Sequence, residues 1–254
     1  MRTSSPDAAW PCGIRRTRSN NAAASHAANR APCFAPNTPG NNVGMHLDHL
    51  SFAAGPDGLE ATAQRLGAQL GATFLDGGFH PRFGTRNRIL PLTDGHYVEV
   101  VGVLDHPAAE KAPFGQAVRA RSAEGGGWLG WVIAVDDLAP LERRMGRPAI
   151  EGHRHLPDGT VLTWHQLGIK DLQVDPQLPF FVKWSNDAIH PSAGGREVEL
   201  LKIEIAGDPV RVDQWLGGRS KEILAEVDIE WCRPRGRLGL AAAIFSTPRG
   251  EVRI

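Results

Sequence analysis

The stretch His46-Leu47-Asp48-His49-Leu50-Ser51-Phe52-Ala53 decides the fold. It reads as a strand whose alternation sends Leu47, His49 and Ser51 to one face and Leu50 and Phe52 to the other. Directly after it, Pro56-Asp57 starts an amphipathic helix in which Leu59, Ala63, Leu66 and Leu70 share a face, and Gly71 ends it. Strands are expected next over residues 73–78, 86–92 and 97–103, the last following the turn Thr93-Asp94-Gly95-His96. The resulting unit is β-α-β-β-β.

The pattern restarts at Trp128. Residues 129–135 read as a strand, Asp136-Asp137 caps a helix running to about Met145, and strands follow near 149–155, 161–167 and 180–184. A shorter third pass has a strand at 199–206, a helix opened by Asp208-Pro209, and strands at 226–232, 238–245 and 251–254. A period of this length is too long for a solenoid repeat and points to duplicated modules, each of which exposes one face of a small sheet until it is paired. The class is therefore α+β, with modules at 45–107 and 128–192 forming one domain over 45–192 and a partial module over 193–254.

The 254 residues hold 28 Lys plus Arg against 28 Asp plus Glu, so the net charge is zero. The zero hides an asymmetry. Residues 1–44 carry five arginines and a single acid, Asp7, and sum to +4, whereas residues 45–254 sum to −4. Apart from Ile14 and Val43 the first 44 residues lack Ile, Leu and Val, so they are expected to be disordered. Polar residues follow Arg15-Arg16, which removes an export signal, and the preferred reading is an upstream start with the functional protein beginning at Met45. The acidic body argues against nucleic-acid binding, and no apolar run approaches the roughly 18 residues of a membrane span. Cys232, the one cysteine after residue 44, suits a reducing cytoplasm.

His49 lies mid-strand, where a titratable side chain must be bonded or coordinate something; the plainer of the two readings is a core histidine tied to Asp48. Glu99 interrupts the apolar strand Tyr97-Val98-Glu99-Val100-Val101 and poses the same question, with a solvent-facing position as its plain reading. A histidine and a glutamate from two strands suit zinc, iron, manganese or nickel, but two ligands do not hold a metal. Between them runs Gly77-Gly78-Phe79-His80-Pro81-Arg82-Phe83-Gly84-Thr85-Arg86-Asn87, dense in groups that bind anions or carbonyls. The second module adds His153-Arg154-His155, Trp164-His165 and, after its last strand, His190.

These residues resemble the vicinal oxygen chelate superfamily. Leu47-Asp48-His49-Leu50, Gly77-Gly78-Phe79-His80, Gly84-Thr85-Arg86-Asn87, Tyr97-Val98-Glu99-Val100-Val101-Gly102, Pro157-Asp158-Gly159-Thr160 before Trp164, Pro179-Phe180-Phe181 leading to Trp184, and His190-Pro191-Ser192 are similar in order and interval to bacterial glyoxalase-like domain proteins. The resemblance implies paired βαβββ modules whose eight strands form a U-shaped cup around a divalent metal, with ligands from the first and fourth strands of both modules. It implies an enzyme of lyase, isomerase or dioxygenase type acting on a small oxygen-bearing molecule. His49 and Glu99 match the first module's ligand positions. The second module departs from the pattern: alignment puts Trp131 opposite His49, and Phe181, Val182 and Lys183 opposite Glu99.

His190, His165 or His80 could supply a third ligand, and His190 is preferred. Arg82, Thr85 and Asn87 are expected to orient substrate, with His80 as candidate general base. The alternative is a cup without metal that sequesters a small molecule against Trp131, Trp164 and Trp184. The unit at 193–254 is a candidate sheet-edge cover or homodimer surface.

Overall fold

A computed structural model describes residues 44–156, 159–185, 190–234 and 236–254. The expected leader over residues 1–44, except Gly44, and the motif residues Pro157, Asp158 and 186–189 lie outside the described residues.

Strand β1 (Met45–Ala53) is followed by helix α1 (Leu59–Leu70), which buries Ala63, Leu66 and Leu70 and stops at Gly71 in the left-handed conformation (φ 69°). Strands β2 (Leu75–His80), β3 (Thr85–Pro91) and β4 (Tyr97–Val103) complete the first module. The second contains β5 (Gly127–Val135), α4 (Ala139–Met145), β6 (Ile150–His155), β7 (Val161–Leu167) and β8 (Phe180–Trp184). Four helices have no counterpart in the sequence reading: α2 (Pro107–Lys111) and α3 (Pro113–Ala123) between the modules, α5 (Ile169–Val174), and α7 (Ser220–Ile223) in the third unit.

The strands run β1-β4-β3-β2-β6-β7-β8-β5 around a closed barrel. Each module contributes four neighbouring strands, with β1 parallel to β4 and β5 parallel to β8. One seam, β1 against β5, is long and antiparallel; at the other, β2 meets β6 at Phe79–His155 alone. Gly78 permits that approach, because its φ of 103° suits glycine and a Cβ there would collide with the His155 carbonyl.

Apart from the added α7, the third unit has the expected element order: β9 (Glu199–Ala206), α6 (Pro209–Trp215), α7, β10 (Asp228–Cys232), β11 (Gly239–Thr247) and β12 (Gly250–Arg253). Its pairing differs from that of the two modules. The order is β10-β9-β11-β12, so the first strand is central, whereas β1 and β5 stand at the ends of their four-strand sets. Leu200, Ile203, Ile205 and Phe245 of this sheet join Leu50, Leu66 and Trp131 in one hydrophobic cluster, so the unit helps to build the outer core. Burial of this kind contributes about 25 cal/mol per Å² of apolar surface, which binds the sheet to the barrel as part of one cooperative core. Asn41–Ile254 is accordingly one compact unit. Among the described residues no helix is long and apolar enough to cross a membrane.

Candidate functional site in the barrel

The inward faces of the first module's strands deliver the polar groups. His49 and Ser51 come from β1, His80 from β2, Thr85 and Asn87 from β3, and Tyr97 and Glu99 from β4, all buried. A bulge sharpens this placement. In the β1–β5 register Leu47 faces Ile133 and His49 faces Val132, leaving Asp48 as the extra residue. Strict alternation is thereby broken: Leu47 joins Leu50 in the outer core, while the Asp48 carboxylate reaches His49.

The groups form one connected network. His49 Nδ1–H donates to Asp48 Oδ2 at 2.6 Å, and the ring stacks on Tyr97 with centroids 4.3 Å apart. Asp48 also accepts from Trp184 Nε1–H at 3.2 Å and from His190 Nε2–H at 2.9 Å. Ser51 Oγ–H donates to Glu99 Oε1 at 2.5 Å and Asn87 Nδ2–H to Glu99 Oε2 at 2.9 Å, while His49 Nε2 stands 3.6 Å from Glu99 Oε1. His80 Nδ1 lies 3.0 Å from Thr85 Oγ1, and the His80 ring meets Trp164 edge-on.

Environment separates the two buried imidazoles. Burial opposes a charge on His49, but the carboxylates of Asp48 and Glu99 outweigh it and raise the pKa to about 9. For His80 burial dominates, and although Glu99 pulls upward, Arg154, His153 and His49 add to the downward push, giving a pKa of about 4. Burial also works against ionisation of Glu99, yet His49 and Ser51 hold its carboxyl well below the usual range. Asp48 is likewise held low, the bonds from His190 and His49 overcoming burial. At neutral pH the barrel thus holds a protonated His49 and a neutral His80.

Arg154, on β6, was not among the residues singled out by sequence. It lines the same cavity as His49, His80, Asn87 and Glu99 and is 4% exposed. Its Nε has no hydrogen-bond partner, and no ion pair joins it to an acid among the described residues. Burial pushes its pKa down, with Tyr97 and Glu99 opposing. Asn87 Oδ1 is also buried without a partner. Since the Asn87 amide NH₂ is fixed on Glu99, the site leaves one unmatched donor and one unmatched acceptor. Arginines are rarely this buried unless paired, which was the available sequence signal, but β6 gave no cue to which residue of His153-Arg154-His155 points inward.

Several expectations are corrected. Trp131 does not line the site: it is 0% exposed, sits in the outer core, and donates Nε1–H to the Gln177 carbonyl. The bulge shifts register by one residue, so Val132 is the counterpart of His49; correspondingly Phe180 pairs with Val132 as Tyr97 does with His49, and Val182 with Ala134 as Glu99 does with Ser51. Trp164 and Trp184 do line the cavity. His190 engages Asp48 and Ser192 with its two ring nitrogens, which directs neither at Glu99. His165 is exposed, and Arg82 is exposed in a cleft outside the barrel.

These placements bear on the expected divalent metal. His49 Nε2 and Glu99 Oε1 are close enough to share an ion, but no group of three or more His, Cys, Asp or Glu suited to a metal occurs among the described residues. The second module offers Val132 and Val182 at the matching positions. The described residues therefore do not fit a metal centre of three or four protein ligands.

The family of glyoxalase-like domains matches residues 47–218. Among solved structures, the chain is similar to a hypothetical protein from Staphylococcus aureus, with 13% identity over 82% of this chain and 84% of that one, at a TM-score of 0.51. It is also similar to a Streptomyces coelicolor methylmalonyl-CoA epimerase variant in complex with 2-nitronate-propionyl-CoA, with 18% identity over 57% of this chain and 96% of that one, at a TM-score of 0.37. No curated protein matches. With two βαβββ modules closed into one barrel and the family match spanning both, the chain belongs to the glyoxalase-like domain family of the vicinal oxygen chelate superfamily.

Proposed function

We propose that the barrel is an acid–base site for a small organic anion that carries a hydroxyl or carbonyl next to its carboxylate. The observation that carries this reading is the buried, unpartnered Arg154 in one cavity with His49, His80, Asn87 and Glu99. Arg154 donates to the ligand's carboxylate, a charge-assisted bond strengthened by exclusion of water. Asn87 Oδ1 accepts from the ligand's hydroxyl. Two titratable groups whose environments drive them apart supply the remaining roles. His80, with Nδ1–H donating to Thr85 Oγ1, offers the lone pair of its other ring nitrogen as base. His49, kept protonated by Asp48 and Glu99, stabilises negative charge on the ligand oxygen.

The step is a reversible proton transfer. The C–H bond beside the carbonyl or carboxylate breaks, the proton goes to His80, and the electron pair moves onto the oxygen that faces His49 and Arg154. Return of the proton restores the carbon, so no oxidant, reductant or co-reactant is needed. His190, hydrogen-bonded through Ser192 on one side and Asp48 on the other, acts as a positioning residue for the Asp48–His49 pair.

Solvent-deuterium exchange at C2 of a panel of 2-hydroxy acids and at C3 of a panel of 2-oxo acids, followed by NMR, tests the reading. Exchange that disappears in His80→Ala and Arg154→Gln is the expected result. The second reading, a sequestering protein, is favoured by the aromatic walls of Trp164, Trp184 and Phe180; saturable binding with no exchange across the panel would select it.

A further inference from the structure

The cavity around His49 and Arg154 measures only about 30 Å³, room for the reacting end of a molecule and little else. Beside it lies a cleft of about 570 Å³, a volume in the range of small-molecule sites. The two share Phe114 and Gln166, which line both. Phe114 packs against Phe83 and Phe180, and Phe83 against Trp164, so an aromatic partition separates cleft from barrel.

The chemistry of the cleft is consistent around its rim. Arg82, Lys111 and Lys170 are exposed there, and no ion pair ties them to an acid among the described residues; Arg147, the fourth cation, is paired with Asp171. Among the described residues no acidic residue lines the cleft. Its floor is apolar, and Ile150 stands 38% exposed within it. An apolar floor under unpaired cations is complementary to an amphipathic anion, with a hydrocarbon or aromatic stem and a terminal phosphate, sulfate or carboxylate.

We propose that this cleft is a second subsite, which holds the anionic tail of an elongated substrate whose reactive end enters the barrel past Phe114 and Gln166. Only the direction of the reactive end rests on the barrel-site reading; the tail site stands on the cleft itself. It also gives the inter-module segment a function, since Lys111 and Phe114 come from α2 and α3, elements outside the two βαβββ repeats.

Calorimetric titration of the full chain with octyl phosphate, with neutral octyl glucoside as control, provides the test. Octyl phosphate should bind at least tenfold more tightly than the glucoside, and Arg82→Gln/Lys111→Gln/Lys170→Gln should lose at least tenfold in affinity. Raising salt should weaken octyl phosphate binding in the wild type. Arg154→Gln should leave octyl phosphate affinity within about threefold, which separates the cleft from the barrel. Equal binding of the glucoside, or an unchanged triple variant, would overturn the proposal; because the three side chains are exposed, the variant should keep its thermal midpoint, and single substitutions serve if it does not. Malonate binding read through Trp184 fluorescence reports on the barrel alone. Loss of that signal's dependence on Arg154, with octyl phosphate behaving as stated, would sink the barrel reading and leave the cleft standing.

Discussion

Replacing Arg154 with methionine should move affinity and stability in opposite directions. In the folded protein the guanidinium is 4% exposed and its Nε is unsatisfied, so the native state carries a desolvation cost of about 1–3 kcal/mol for that donor. Methionine fills a similar volume and needs no partner. For a protein of this size each kcal/mol corresponds to roughly 2–4 °C, so Arg154→Met should melt at least about 2 °C higher. Glu99 does not lose its support, because Ser51, Asn87 and His49 hold it.

Binding should respond the other way. Removing one member of a buried charge-assisted pair costs about 2–5 kcal/mol. At 1.4 kcal/mol per tenfold, that is roughly a 30- to 4,000-fold weaker Kd for a small carboxylate. Differential scanning fluorimetry gives the first quantity and quenching of Trp164 and Trp184 by malonate or lactate the second. A lower melting temperature together with an unchanged Kd would show that Arg154 is a structural cation, and the anion-site reasoning would fail.

Other outcomes follow from the same geometry. His80 has a lowered pKa, so below its unfolded value of about 6.5 the unfolded chain binds the extra proton more readily. Stability should therefore fall as pH drops from about 6.5 towards 4, and His80→Gln should flatten that limb in pH-dependent denaturant melts. His49 behaves oppositely: its contribution is fully present below about 6.5 and lost as pH rises through about 9, so His49→Gln should be less sensitive to alkaline pH than wild type. Dialysis against a chelator should leave malonate binding and the melting temperature unchanged; stoichiometric metal that disappears in His49→Ala would contradict this. Conversely, Val132→His with Val182→Glu, which places ligand types at the positions matching His49 and Glu99, should create zinc binding measurable by calorimetry. Gly78→Ala forces a side chain into the β2–β6 seam at positive φ and should cost about 1–3 kcal/mol in urea unfolding.

Much of the architecture was legible in the chain. The apolar strand stretches at 46–53 and 97–103, the Leu59–Leu70 face and its Gly71 stop, and the restart at Trp128 are local patterns, and the strand alternation at 46–53 holds except where the Asp48 bulge breaks it. The helices α2, α5 and α7 escaped because each is under two turns long, and α3 because Phe114, Ala117 and Val118 are its few buried apolar anchors among small and charged residues. The third unit's strands and first helix were legible and its pairing was not, since a strand's neighbours are chosen by the core it covers.

The candidate site divides along the same line. By itself the sequence determined that His49 and Glu99 are titratable groups set in apolar strands, because a lone one in such a run is conspicuous; whether Glu99 faces solvent or the interior it left open. Only the tertiary structure decided what they face. One bulge at Asp48 turned that carboxylate towards His49 and moved Trp131 out of the barrel, since an extra residue reverses side-chain direction from that point along the strand. The meeting of β2 with β6 brought Arg154 beside Glu99, a juxtaposition of residues 55 positions apart that no local pattern encodes.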